Sequence, residues 1–221
     1  MKGLHAPAQC VRLVPLLALW MSLAVGVPAA IAQNGPDIWS IQLDAGLFAP
    51  IAASGASPTI GMRYGKHYNP HVQGGLLTGW TLKSTRLEAP GDGLQSGESL
   101  VELARVDAQM VPLMGFVQVN FTERSWLVPF VGIGAGYEWL SLHAKDHRTG
   151  LNSTATYGNV AWETYAGLGL RLNSEVRLNG ELFFNGGSLE RDVLDPSGHA
   201  WREAVDVNGV GARVGLDMLF E

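Results

Sequence analysis

After Cys10, the one cysteine among 221 residues, the chain offers neither a disulfide partner nor a thiol nucleophile. Charge is scarce as well: 16% of residues are charged, where soluble proteins carry about a quarter. Cations are the minority, with 15 Lys and Arg against 20 Asp and Glu. A net charge of −5 argues against nucleic acid as a partner, because neutralising phosphates takes a basic surface. Past residue 32 no run approaches the ~20 apolar residues that a membrane-spanning helix needs. Disorder is excluded in turn, since the 47% of hydrophobic residues are spread along the whole chain. Glycine is what abounds: 28 residues, well above the usual share of about 7%. The balance points to an all-β chain.

The beginning reads as an address. Lys2 and Arg12 precede an apolar stretch from Leu13 to Pro28, and Ala30-Ile31-Ala32 supplies small residues at cleavage positions. The expected organisation is therefore a secretory signal peptide over 1–32 and one β-barrel domain over 33–221. Loss of Lys2 and Arg12 leaves 13 cationic against 20 acidic residues, a net of −7.

Alternation with period 2 runs through the remainder. In the last segment Ala212, Val214, Leu216, Met218 and Phe220 share one face, and Gly211, Arg213, Gly215 and Asp217 share the other. The same pattern predicts strands over Trp39–Leu47, Ile60–Tyr68, Gln73–Leu82, Val106–Phe121, Leu127–Trp139, Trp162–Leu172 and Val176–Asn185. Val106–Phe121 is the least regular, because Asp107 and Gln109 share the parity of Leu113 and Val117. Either a bulge near Gln109–Met110 or a strand end outside the bilayer accounts for that. Short connections (Asn69-Pro70, Thr122–Ser125, Asn173–Glu175) alternate strictly with long polar loops over 49–58, 84–105, 143–160 and 189–206. Eight strands joined in this way form an up-and-down antiparallel barrel with its long loops at one end.

Alternation alone fits a soluble barrel that is dry inside and a transmembrane barrel that is dry outside. The polar set decides between them. It is glycine with single charges of both signs, which suits a narrow eight-stranded interior better than a water-facing surface. The expected interior charges are Asp44, Arg63, Glu138, Glu163, Arg171, Arg177, Glu181, Arg213 and Asp217. Burial without partners would cost several kcal/mol each, so Arg–carboxylate pairs are expected, with Asp217 serving Arg171 and Arg177. Aromatics fall at strand ends in two groups: Trp39, Tyr68, Phe121, Trp126 and Phe220 beside the short turns, and Trp80, Trp139, Trp162 and Phe184 beside the long loops. Two membrane–water interfaces select for such rings. On this assignment arginine at Leu168 or Val214 meets lipid and costs about 2–4 kcal/mol. Serine in place of Gly167 or Gly215 is expected to be tolerated.

Two stretches carry a resemblance. Ala212, Val214, Leu216, Met218 and Phe220 resemble the C-terminal signature read by the outer-membrane assembly machinery, although Glu221 here follows the aromatic that usually ends the chain. Val111–Tyr137 (VPLMGFVQVNFTERSWLVPFVGIGAGY) resembles the strand–turn–strand core of the OmpA/OmpX-like small outer-membrane β-barrel family. The family implies a Gram-negative outer membrane, periplasmic termini, surface-exposed loops, and lipid and lipopolysaccharide as surroundings. Its members include adhesins, structural anchors and lipid-modifying enzymes. The periplasmic anchoring domain of longer members is not expected here.

Motifs of chemistry are sparse. Gly132-Ile133-Gly134-Ala135-Gly136 lacks the spacing of a dinucleotide loop and opens no helix. Ser141, His143, His147 and His199 are candidates for a lipid A hydrolase, but no motif supplies the orienting acid and oxyanion hole that such a site needs. His67 and His71 flank a short turn without metal-ligand spacing. The expectation is a non-enzymatic, cofactor-free, metal-free monomer serving in surface binding, adhesion or membrane integrity. A lipid-modifying enzyme and a narrow gated pore stand as the alternatives.

Overall fold

The computed structural model describes residues 38–52, 55–90, 100–122, 125–147, 149–194 and 198–221; the leader expected over 1–32 lies outside them. Nine strands follow one another: β1 Trp39–Pro50, β2 Ser57–Asn69, β3 Val72–Pro90, β4 Leu100–Asn120, β5 Leu127–Asp146, β6 Asn152–Arg171, β7 Val176–Leu194, β8 Ala200–Asp206 and β9 Gly209–Phe220. Each pairs antiparallel with its chain neighbour, apart from β8 and β9, and β9 closes the sheet by pairing with both β7 and β1. β8 and β9 are two halves of one stave. Ser188 faces Asp206 and Asn185 faces Gly209, so the register against β7 is the same on either side of the interruption. At the interruption Val207 N donates to Gly187 O at 3.1 Å, and the Asn208 side chain accepts from Gly187 N at 3.0 Å. The result is an eight-staved closed up-and-down barrel, with no free edge through its paired girth.

Two of the short turns are built by asparagine. Asn69 Oδ1 accepts from the backbone of His71 and Val72, both at 2.8 Å, and Asn173 Oδ1 accepts from Glu175 at 2.8 Å and Val176 at 2.7 Å. A side-chain acceptor that mimics the next carbonyl is what lets the chain reverse within a few residues.

The opposite end departs from the sequence expectation. Most of 84–105, 143–160 and 189–206 is strand, so the long polar loops are instead tall hairpins. Past the membrane the outward face of these ribbons meets water, so polar residues enter the outward positions and the period-2 signal weakens, while the backbone pairing persists and Tyr157, Leu189 and Val205 still pack inward. Near Gln109–Met110 there is no bulge: β4 keeps one register against β5 from Ala104 to Asn120. Asp107 and Gln109 belong to the emergent part of the strand, and the register shift of β4 lies opposite Leu87/Glu88 of β3.

Outward positions form an apolar wall. Leu47, Ile60, Leu76, Leu113, Ile133, Leu168, Leu182 and Val214 stand 49–68% exposed. A surface so apolar in unbroken alternation is stable against acyl chains, not water. The inside is not the small-residue lumen expected from the glycines. Phe48, Leu77, Met114, Phe116, Phe130, Tyr165 and Phe183 also point inward and are almost fully buried. Glycine makes the room for them: a Cβ at Gly211 would lie 2.2 Å from the Phe183 ring, and one at Gly132 would lie 2.2 Å from Tyr165. Gly167 and Gly215 are equally confined. Their Cβ atoms would meet Gly180 O at 2.5 Å and Leu43 O at 2.8 Å, so serine at either position clashes with the backbone and the expected tolerance fails.

Candidate functional site

The interior is layered along the barrel axis. Nearest the short turns is a polar floor. Gln73 Nε2 donates to Ser40 Oγ at 2.6 Å, Asn179 Nδ2 to Gln42 Oε1 at 2.7 Å, and Gln118 Nε2 to Asn120 Oδ1 at 3.0 Å. Arg177 Nη2 donates to Asp217 Oδ2 at 2.5 Å across β7 and β9.

Above the floor two arginines bind three acids. Arg63 and Arg213 both donate to Glu181, and Arg213 also donates to Glu163. Asp44 Oδ1 stands 3.8 Å from Arg213 Nε. Arg63 lies over the Tyr165 ring at 4.4 Å and donates to Gln118 at 3.3 Å, while Arg213 lies over Phe183 at 4.2 Å. Packing cations against rings and carboxylates together is how a narrow interior holds charges away from bulk water. Glu138 lies higher, fully buried, and accepts from Asn185 Nδ2 at 3.1 Å.

Of the nine charges assigned to the interior by sequence, the structure buries eight. Arg171, at the end of β6, is exposed instead. Its register partner is Arg177, and the acid that both were expected to share is taken by Arg177. Strand parity points Arg171 inward, but the stave ends there, and solvation at the rim costs less than a second buried cation.

The upper interior is dry. Met110, Leu140, Tyr157, Leu189 and Val207 join Phe48, Leu77 and Phe183 in one cluster. Between this cluster and Glu138, Asn185 and Arg213 remains a cavity of about 20 Å³, room for about one water. Over the cluster, Tyr157 donates its hydroxyl to Glu203 Oε2 at 3.0 Å, and Arg191 Nε donates to the same oxygen at 2.5 Å. That bridge ties β6 to the β7–β8 ribbon. Sequence reading missed this seal because its three residues lie in segments taken for loops.

The aromatics gather at two levels. Trp39 stacks on Tyr64 at 5.3 Å, opposite Phe220 across β1 and β9, on the side of the short turns. At the other level Tyr137 meets Trp139 at 4.8 Å and Trp162 meets Phe184 at 5.4 Å. Trp80, Phe121, Trp126, Trp139, Trp162 and Phe220 are 40–69% exposed, and Trp39, Tyr68 and Phe184 are half-buried.

Of the candidate hydrolase residues, His143 and His147 line one outward groove together with Asp107, while Ser141 and His199 lie outside its lining. His143 Nδ1 is hydrogen-bonded to Thr154 Oγ1 at 3.0 Å, not to Ser141, and His147 and His199 are exposed outside the strands. His71 Nδ1 bonds the Asn120 carbonyl at 2.9 Å, and His67 is buried in the floor.

Neither a protein-family model nor a curated protein sequence matches the chain. Solved structures do. A major outer membrane protein of Thermus thermophilus aligns over 84% of this chain and 100% of its own, at 15% identity and a TM-score of 0.54. The outer membrane protein OprG of Pseudomonas aeruginosa aligns over 84% of this chain and 96% of its own, at 12% identity and a TM-score of 0.52. The chain shares with both the fold of a small closed antiparallel up-and-down β-barrel.

Proposed function

We propose that this is a Gram-negative outer-membrane surface protein, monomeric and non-enzymatic, whose work is binding or adhesion by the ribbons above the membrane. The observation that carries this reading is the contrast between the two halves. The membrane half is filled, with an ion-pair network below a dry cluster and a cavity of only about 20 Å³, which suits an anchor better than a conduit. The emergent half is ordered sheet with exposed mixed charge, as at Arg202, Glu190 and Asp192. Rigid ribbons keep side chains in fixed relation and so present a surface at low entropic cost.

Orientation follows from the same contrast. Both termini and the Asn-built turns would face the periplasm, and the nine aromatics would mark the two interfaces. β9 supports delivery by the assembly machinery: Val214, Leu216, Met218 and Phe220 stand outward in a row, 41–59% exposed. On intact cells Leu151→Cys should label with an impermeant maleimide and Ser174→Cys should not; the reverse pattern would invert the model. For the function itself, cells displaying the chain should attach to matrix-coated surfaces more than cells displaying a barrel trimmed of residues 191–203. Equal attachment rejects adhesion by that ribbon.

A further inference from the structure

β7 loses its regular pairing on both flanks at one level. Toward β6 the ladder reaches Ala161 opposite Gly187, lapses, and resumes only in the single pair of Gly158 with Glu190. In the lapse Asn159 stands in for the backbone: its Nδ2 donates to Ser188 O at 3.0 Å, and its Oδ1 accepts from Val160 N at 2.8 Å. Toward the last stave the ladder lapses between Asn185 opposite Gly209 and Ser188 opposite Asp206. Asn208 does the same there. Its carbonyl accepts from Ile51 N at 2.8 Å, and its side chain takes the bond from Gly187 N in its place. Two asparagines thus replace sheet bonds on either side of Gly186-Gly187, and small residues at a few such positions are what a hinge is made of.

Above this line the β7–β8 ribbon is nearly detached. Among the described residues β8 pairs with β7 alone, and β7 meets β6 only at Gly158 and Glu190. By contrast β4 and β5 stay paired without a break from Asn120 up to Ala104, and β5 and β6 from Leu127 up to Lys145. What holds the ribbon is on its inner side. Leu189 is fully buried in the dry cluster, and Val205 packs against it. Glu203 Oε2 accepts from the Tyr157 hydroxyl at 3.0 Å and from Arg191 Nε at 2.5 Å, while the Arg191 guanidinium lies 4.9 Å over the Tyr157 ring. Tyr157 belongs to β6, so these three side chains form a clasp across the seam. An element tied by a few side chains and joined to the rest through an irregular line opens as a unit.

We infer that the β7–β8 ribbon is a hinged lid over the upper interior, pivoting at Gly186-Gly187 and Asn208 and clasped shut by Glu203. Closed, it seals the barrel above Met110 and Leu140. Open, it lifts Leu189 and Val205 off the cluster and uncovers an apolar surface at the mouth. The pairing of Val176–Asn185 with Gly209–Met218 keeps the barrel intact beneath it.

The test follows amide hydrogen exchange of the folded chain in detergent, resolved by peptide, in the wild type, Tyr157→Phe, Glu203→Ala and Arg202→Ala. A heat-modifiable band confirms folding of each. Residues 188–194 and 200–206 should exchange together, and faster than 139–146 and 152–158 at the same height. Glu203→Ala should speed the ribbon about tenfold and Tyr157→Phe by a smaller factor, with 176–185 and 209–220 unchanged. Arg202→Ala should leave the rate as it is, because its partners Glu190 and Asp192 lie within the ribbon itself. Ribbon exchange that Glu203→Ala does not change, acceleration that extends into 176–185 and 209–220, or an equal acceleration by Arg202→Ala overturns the lid.

Discussion

Gly132, Gly134 and Gly136 present the same chemistry to the barrel interior, yet the structure assigns them different fates on substitution by alanine. None has a positive φ; among the described residues that conformation occurs at Gly55, Gly150 and Gly198. Sterics therefore decide. A Cβ at Gly134 would meet Gly115 O at 3.5 Å and Met114 Cβ at 3.7 Å, ordinary contact distances. Gly134→Ala should then stabilise the barrel by about 0.4–1 kcal/mol, through the lower entropy of the unfolded chain. A Cβ at Gly136 would lie 2.2 Å from Leu113 O and 2.5 Å from Met114 Cα, both backbone atoms of the paired strand. Relief requires moving β4 itself, so Gly136→Ala should cost about 1–3 kcal/mol, the range of overpacking. Gly132→Ala should fall between them, since the obstacle is the Tyr165 ring, a side chain, though one pinned under Arg63. Urea unfolding in detergent micelles, followed by tryptophan fluorescence, measures the series. Equal stabilities for the Gly134 and Gly136 variants would refute the packing on which the ordering rests.

The lipid face admits a test by charge: Leu168→Arg and Val214→Arg, at positions 51% and 59% exposed, should each cost about 2–4 kcal/mol in a bilayer. Gly167→Ser and Gly215→Ser should also destabilise, by backbone clash, in the same urea titration. Arg213→Met leaves Glu163 and Glu181 short of a cation and should cost about 3–5 kcal/mol, with part of the loss recovered on adding Glu163→Gln. The seal over the upper interior should respond to acid. The hydrogen bond from Arg191, at 2.5 Å, holds the Glu203 carboxyl below the usual carboxylate range. A depressed folded value contributes stability above the unfolded carboxylate value, lost as pH falls through the folded one. Protease cleavage within the β7–β8 ribbon should therefore stay slow from neutral pH down to the carboxylate range and rise below it, and Glu203→Gln should remove that dependence.

The membrane half was legible because lipid imposes one rule on every outward position. Leu43, Leu168, Val214 and their equivalents had to alternate with something that is not lipid-facing, and a one-residue slip would have exposed Asp44 or Arg213 to acyl chains. The emergent half obeys no such rule. Thr85, Asp107, Lys145 and Arg202 are all compatible with water whether the backbone is paired or not, so nothing in their order distinguishes a ribbon from a loop. The Asn69 and Asn173 turns sat between these regimes: the residues signalled reversal, and their side-chain acceptors supplied the mechanism.

Inside the barrel, parity separated inward from outward but could not say which inward residues meet. Glu181 and Arg213 are opposite one another on β7 and β9, so strand order alone pairs them. Arg63 reaches Glu181 across the lumen from β2, a separation of 118 residues that no local pattern encodes. The inward aromatics were hidden for a different reason. Phe183 lies between Leu182 and Phe184, and Phe130 lies beside Val131, so each reads as part of an apolar run in which the outward residues dominate. The signal that would have exposed them is the glycines themselves. Gly209 and Gly211 leave space that Phe48 and Phe183 fill, with ring atoms 2.4 Å and 2.2 Å from where a Cβ would stand. In a tube of fixed girth, the volume left by missing side chains is available to large ones on other staves. Counting inward glycines without asking what occupies their volume makes the interior look hollow; asking makes it full, and a full interior moves the search for function to the ribbons outside.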